Sequence, residues 1–498
     1  MSFSTGGADV WQFKGIKYGS IPARFRQAVI NETFPAVSDA TSFGPKCPQV
    51  IAPFRLEGVL IGKPPKHQPH NAEDVFDEFE CLNLNITSPS NAHLDSAFPV
   101  MVYIHGGGGY SGANSDWWCD GSGIVSKSMA MGNPVVHVAI NYRLAALGNL
   151  GSEELRKEHG EADGGNFAYY DMVLAKFRPH LSLEWIYKHI SPFGGSPTNI
   201  TLYGESAGSL ATETQLHSLL PARFSRCILQ PQVLGAPIFS QPETIATKSA
   251  IFTKIKEHLS VQTVKQLQEV PYQDVLDASN TCDPRAGFAH VPMIDGILLD
   301  ENWRNNFQLA HGTSSAILVG NTAAEGSAVS LVLSTVPKPA FPPSTSALIE
   351  ALQSVTTGEK PTALLNAYGL QDSTPLKEVR KSLLLLVEDM MWHSPTQELI
   401  SILTSAKTQS TRVYQYTFAQ PSPFAGPFQS LPNHALDLAY LHGSPEIFEG
   451  LDDREMHLQA SMKAYWVAFA NGERIWGEGE MWEFGPDVGG AGVGSFLE

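Results

Sequence analysis

A serine with a glycine two residues to either side stands at Gly204-Glu205-Ser206-Ala207-Gly208. Such spacing suits a nucleophile mounted on a sharp turn from strand to helix. The turn projects the hydroxyl above a sheet, and the flanking glycines let strand and helix approach more closely than a Cβ permits. The helix start also points its unused N–H groups at the reaction centre. The pentapeptide alone is a weak signal, so its flanks carry the argument. The apolar run Ile200 to Tyr203 enters it, and Ser206 to Leu220 leaves it with Leu210, Leu216, Leu219 and Leu220 at helical spacing.

A second glycine run, His105-Gly106-Gly107-Gly108-Gly109-Tyr110, follows directly on Val100 to Ile104. Glycines after a strand let backbone N–H groups turn toward a substrate oxygen, each donor contributing about 3–4 kcal/mol to a developing oxyanion. A phosphate-binding loop would continue with Lys-Ser or Lys-Thr, and this one continues Tyr110-Ser111-Gly112.

In the elements that hold these loops, strands and helices alternate through the first half. That pattern predicts an α/β fold with a mainly parallel sheet flanked by helices. Val100 to Ile104, Val135 to Ile140 and Ile200 to Tyr203 are predicted as buried strands, followed by Arg226 to Gln230, Ala316 to Gly320 and Arg412 to Thr417. Glu455 to Ala470 reads as a late amphipathic helix. Ala52 to Asn71 is polar and proline-bearing, a surface loop or a lid over a gorge, and Val336 to Ser346 is a similar connection. The tail from Gly485 to Gly494 is glycine-rich. No internal repeat is evident.

The chain has 498 residues, 43% of them apolar, and a formal net charge of −17. So acidic a balance argues against nucleic acid or an anionic membrane as partner. No run approaches the roughly 18 apolar residues of a membrane span. The first residues lack the basic start and apolar run of a secretory signal, which predicts a soluble, cytoplasmic protein. Five cysteines (Cys47, Cys81, Cys119, Cys227 and Cys282) do not describe a disulfide scaffold, and no metal-ligand spacing stands out.

The ordered landmarks of the whole chain resemble the type-B carboxylesterase/lipase family, which includes the cholinesterases. They begin with Phe13-Lys14-Gly15-Ile16-Lys17-Tyr18, Phe43-Gly44-Pro45-Lys46-Cys47-Pro48-Gln49 and Glu80-Cys81-Leu82-Asn83-Leu84-Asn85-Ile86. They continue through Asn141-Tyr142-Arg143-Leu144, Gly165-Asn166, Phe193-Gly194-Gly195-Ser196-Pro197 and the serine turn. The likeness runs from about Phe13 to His442, more weakly to Gly472. It implies one α/β-hydrolase domain over residues 1–498, with helical insertions covering the active site. It also implies a catalytic acid at Glu325, in Gly320-Asn321-Thr322-Ala323-Ala324-Glu325-Gly326, and a base at His434, followed by Ala435-Leu436-Asp437. Neither residue is identifiable unaided among 50 acidic residues and 16 histidines. The family's oxyanion donors fall on Gly107, Gly108 and Ala207, and its chemistry needs no metal and no organic cofactor. Cys47 and Cys81 match a gorge-loop disulfide of secreted relatives, which a reducing compartment would leave open.

The expected activity is therefore hydrolysis of a small-molecule carboxylic ester through an acyl-serine. A lipase acting on long acyl chains and a catalytically impaired relative are the alternatives. Gly109, Tyr110 and Trp117 are candidate substrate contacts, with core packing the competing role for the aromatics, Trp118 included. Several departures from the family matter. Residues 173–179 (VLAKFRP) interrupt the helix before the serine turn, as an insertion or an unspliced intron. Gln230-Pro231-Gln232 replaces Gln-Ser-Gly, which predicts the loss of a supporting hydroxyl near the acid. Gly109 stands where a Phe is common, implying a wider acyl pocket. No Trp lies between Cys47 and Cys81, so the cation–π cradle for choline is missing.

Overall fold

The computed structural model describes residues 2–3, 10–49, 56–62, 74–172, 182–221, 223–231, 233–236, 240–283, 290–307, 315–335, 346, 350, 360–371, 373–405, 411–486 and 493–495. The expected insertion at 173–179, most of the loop at 52–71, nearly all of 336–346 and residues 487–492 of the tail lie outside them.

Among the described residues the chain builds one sheet of eleven strands. In chain order these are β1 (Ser2–Phe3), β2 (Val10–Lys17), β3 (Asn83–Pro89), β4 (Phe98–Ile104), β5 (Val136–Ile140) and β6 (Gly195–Glu205). There follow β7 (Arg226–Gln230), β8 (Ala316–Thr322), β9 (Arg412–Phe418), β10 (Glu480–Phe484) and β11 (Val493–Ser495). Their spatial order is β1-β2-β3-β5-β4-β6-β7-β8-β9-β10-β11. The seven strands from β5 through β10 pair in parallel, and antiparallel strands close both edges. This is the mainly parallel, helix-flanked sheet of an α/β-hydrolase.

Both faces of the sheet are covered, so its strands read as continuous apolar runs. Along β4 the side chains alternate: Val100, Val102 and Ile104 enter one core, Met101 and Tyr103 the other. The helices that matter for the site are α1 (Leu56–Ile61), α2 (Ala207–Leu216), α3 (Gly326–Thr335), α4 (Leu376–Glu388), α5 (Leu436–His442) and α6 (Asp453–Ala470). The six strands predicted above all form, several extended by a residue or more. Helix α2 ends at Leu216 rather than Leu220, because the N–H of Leu219 bonds Leu298 O across the chain at 2.9 Å.

The interrupted helix survives as two pieces, Phe167–Met172 and Ser182–His189. Ser182 Oγ donates to Met172 O at 2.9 Å, so the chain returns to the point where it left. Gln215 of α2 bonds Tyr169 O at 3.3 Å, keeping the first piece against the helix behind the serine. Arg143 fixes the same piece: its Nε and Nη2 reach Asp171 at 2.8 and 2.7 Å, and its Nη1 donates to Arg26 O at 2.7 Å.

Removing one partner of so buried a pair leaves an uncompensated charge, typically costing about 3–5 kcal/mol. Arg143→Met is expected to lower the urea midpoint accordingly, while the exposed Arg454→Met leaves it in place. Equal midpoints for both variants would show that the pair does not anchor this helix.

Candidate active site

The serine turn is built as its glycines require. Strand β6 delivers Ser206 in a strained conformation, φ 54° and ψ −121°, and α2 starts at the next residue. A Cβ on Gly204 would lie 2.4 Å from the backbone of Gly208, and one on Gly208 would lie 2.0 Å from Ile104 O. Strand, turn and helix are thus in backbone contact, and only glycine fits. Ser206 N–H donates to Gln230 O at 3.0 Å, tying the turn to β7.

The glycine run leaves β4 beside it. Gly107, Gly108 and Gly109 take φ of 98°, 64° and 74°, open to glycine and costly for other residues. Tyr110 and Ser111 both donate to Gly107 O at 3.1 Å, closing the loop on itself. No backbone hydrogen bond among the described residues uses the N–H of Gly107 or Gly108. Ala207, first residue of α2, has one of the N–H groups that a helix cannot satisfy internally. All three expected donors remain available.

Glu325 lies just past the end of β8, immediately before α3, and His434 precedes α5. His434 Nδ1 is hydrogen-bonded to Glu325 Oε2, with both side chains buried. Glu325 Oε1 accepts the N–H of Thr322, and the His434 N–H donates to Ser327 Oγ at 2.9 Å. Position 231, a proline, offers no hydroxyl there, and the one that supports the His434 backbone is that of Ser327. It also donates to Ala324 O at 2.7 Å.

The other imidazole nitrogen, Nε2, is 3.3 Å from Glu205 Oε1. Among the described residues no hydrogen bond joins Ser206 Oγ to His434. The ring edge faces the carboxylate of the preceding residue. Such contacts are often loose in unliganded enzymes and tighten around substrate. Glu205 and Glu57 of α1 share one space, since a Cβ on Gly106 would lie 2.3 Å from Glu205 Oε2 and 2.9 Å from Glu57 Oε1. Asp437 completes the acidic group, held by Gln230 Nε2 at 3.1 Å and Tyr416 Oη at 3.0 Å.

This charge distribution sets the protonation states. Burial alone would lower the imidazole pKa, but Glu325, then Glu57 and Asp437, raise it above the ordinary histidine range. Burial pushes the Glu205 carboxyl well up, and its acidic neighbours Glu57, Asp437 and Glu325 push it further. Burial likewise lifts Asp437 to about 6. Sequence reading missed Glu205, Glu57, Ser327 and Asp437 as contributors. Glu205, Ser327 and Asp437 each lie within three residues of a residue of interest, whereas Glu57 carried no such signal.

The candidate substrate contacts divide. Trp117 and Trp118 pack into the core on the Tyr103 face, the competing role considered for them. Tyr110 and Gly109 stay beside the loop, but the room at Gly109 is taken. A Cβ there would lie 2.8 Å from His290 Cβ, so a Phe could not sit there unless His290 moved. Cys47 and Cys81 are free, buried thiols. No group of side chains among the described residues is arranged to hold a metal, and no described helix is long and apolar enough to cross a membrane.

A model of the carboxylesterase family matches residues 2–482. Lipase 1 of Yarrowia lipolytica is 33% identical over 319 residues, covering 62% of this chain and 58% of the lipase. Liver carboxylesterase 1 of Mus musculus is 28% identical over 500 residues, 94% of this chain and 82% of the mouse protein. An inactive carboxylesterase-like protein of Byssochlamys spectabilis, VdtD, is 27% identical over 87% of this chain and 75% of its own length.

The raised imidazole pKa has a sign that can be measured. His434 should hold its second proton to higher pH than an exposed histidine, whose pKa is about 6.5. Glu325→Gln, by removing the nearest negative charge, should bring the titration down. NMR titration of the ring would contradict this picture if the variant titrated at the same pH or higher.

Proposed function

The chain belongs to the carboxylesterase family of ester hydrolases, and we propose that it cleaves carboxylic esters through an acyl-enzyme on Ser206. The observation that carries this reading is the buried Glu325–His434 pair beside the strained turn that presents Ser206. Ser206 Oγ attacks the ester carbonyl while His434 Nε2 takes its proton. Glu325 fixes the tautomer at Nδ1 and stabilises the imidazolium that forms. The tetrahedral oxyanion is met by the N–H groups of Gly107, Gly108 and Ala207. Collapse releases the alcohol, protonated by His434, and leaves the acyl-serine. Water activated by the same histidine then frees the acid.

For His434 to act as base it must swing its Nε2 edge from Glu205 toward the Ser206 hydroxyl. The whole chain is read as one catalytic domain acting on a small ester, with no cofactor and no nucleic-acid partner. Lipases among the relatives favour a second reading, action on long acyl chains at an interface. The inactive relative shows that membership alone does not secure turnover, which here rests on the retained Ser206, Glu325 and His434. Relatives described as secreted lipases, such as secreted lipase 1 of Botryotinia fuckeliana (24% identical over 93% of this chain and 81% of its own length), lend the cytoplasmic expectation no support.

Ser206→Ala is expected to abolish hydrolysis of nitrophenyl esters, by at least about 10³-fold, with the thermal midpoint retained. Full-rate turnover in that variant would sink the assignment. Across esters of increasing chain length, a carboxylesterase should peak at short acyl groups. A rate jump above the substrate's solubility limit would move the reading to the lipase.

A further inference from the structure

Behind the acid, α4 runs into one π-helical turn, Asp389–His393, before the chain resumes as the helix Ser394–Ser405. A π turn inserts an extra residue and re-aims the side chains on either side of it. Here it sets two of them against the Glu325–His434 pair. Glu388 Oε1, at the end of α4, accepts the backbone N–H of Glu325 at 3.1 Å. Its Oε2 lies 2.9 Å from where a Cβ on Gly326 would stand. Four residues on, the Trp392 indole packs 5.5 Å from the His434 imidazole, centroid to centroid, at 58°. A single helical irregularity thus reaches the backbone of the acid and the ring of the base.

A carboxylate is an odd choice for packing alone. Glu388 is only 7% exposed. Burial raises its carboxyl pKa, and the nearby Glu325 charge raises it further. Opposing these are the N–H groups of Glu325 and Gly326, and His393, whose Nε2 is 3.7 Å away. A leucine would fill the space without like-charge repulsion. What it cannot do is accept the amide that fixes where Glu325 begins.

We propose that Glu388 is a positioning residue for the catalytic acid: by holding the Glu325 amide it fixes the carboxylate against His434 Nδ1. This rests on reading Ser206, Glu325 and His434 as the triad. Glu388 touches no reacting atom, so its loss should degrade the alignment that matters in the transition state and leave substrate binding alone. Misplacement of a catalytic group on this scale costs up to about 10²-fold.

The test compares Glu388→Gln, which keeps an acceptor oxygen, with Glu388→Leu, which has none. Rates are normalised to sites titrated with a fluorophosphonate. Glu388→Leu should lose about tenfold or more in kcat with KM within about twofold, and Glu388→Gln should restore kcat to within about threefold. The downfield proton resonance of His434 Nδ1–H should persist in Glu388→Gln and move or vanish in Glu388→Leu. This readout needs no turnover, and Glu388→Ser, too short to reach the amide, serves if Glu388→Leu does not fold. Wild-type kcat and an unmoved resonance in Glu388→Leu would overturn the proposal. So would a Glu388→Gln variant as impaired as Glu388→Leu. His434→Ala separates the two readings: if it keeps full turnover the triad itself fails, whereas an inactive His434→Ala beside an unaffected Glu388→Leu defeats only the role of Glu388.

Discussion

An imidazole sealed from water gives up its charged form unless negative charge replaces the lost hydration. His434 is sealed in this way, and Glu325 supplies that charge at Nδ1. Much of the surrounding structure serves the pair. Strand β8 and the turn into α3 set the carboxylate, and the loop before α5 sets the ring. Ser327 and Thr322 bond the backbone or side chain of one or the other. Glu57, Glu205 and Asp437 deepen the negative surroundings. Four carboxyl groups around one histidine cannot all be ionised cheaply: burial first, and the neighbouring charges after it, raise the pKa of Glu205 and Asp437.

The same crowding links the site to α1. Glu57 comes from the segment between Cys47 and Cys81, far from the serine turn in sequence. Yet its carboxyl shares a space with Glu205 directly beneath the glycine loop. Helix α1 is only six residues long and lies against α3 and α5. Helix α1 is therefore joined, through Glu57, to the charge balance at His434.

How much of this the sequence disclosed depended on whether the constraint was local. The turn at Ser206 was legible because backbone contact between β6, α2 and β4 admits only glycine at 204 and 208, and that demand falls on adjacent positions. The glycine loop was legible for the same reason, as were strands with both faces buried. Glu325 and His434 were not, since a lone acid and a lone histidine leave no periodic trace, and only the family resemblance located them. Glu388 was invisible to both approaches. Its partner is 63 residues away, and the π turn that aims it has no sequence signature. Trp117 takes the core role of the two considered for it, because adjacency to the glycine loop does not decide which face of the sheet a side chain joins. Either side of residues 173–179, Met172 and Ser182 meet and Arg143 pins Asp171.

The central claim is that hydroxyl, imidazole and carboxylate act as one unit although, among the described residues, no hydrogen bond joins the serine to the ring. It is tested most directly by reacting the protein with a fluorophosphonate and mapping the adduct by mass spectrometry, in the wild type and in His434→Ala. The account predicts one phosphonylated residue, Ser206, formed rapidly in the wild type and slowed by orders of magnitude in the variant. Labelling at another serine, or equal rates in the two proteins, would contradict it.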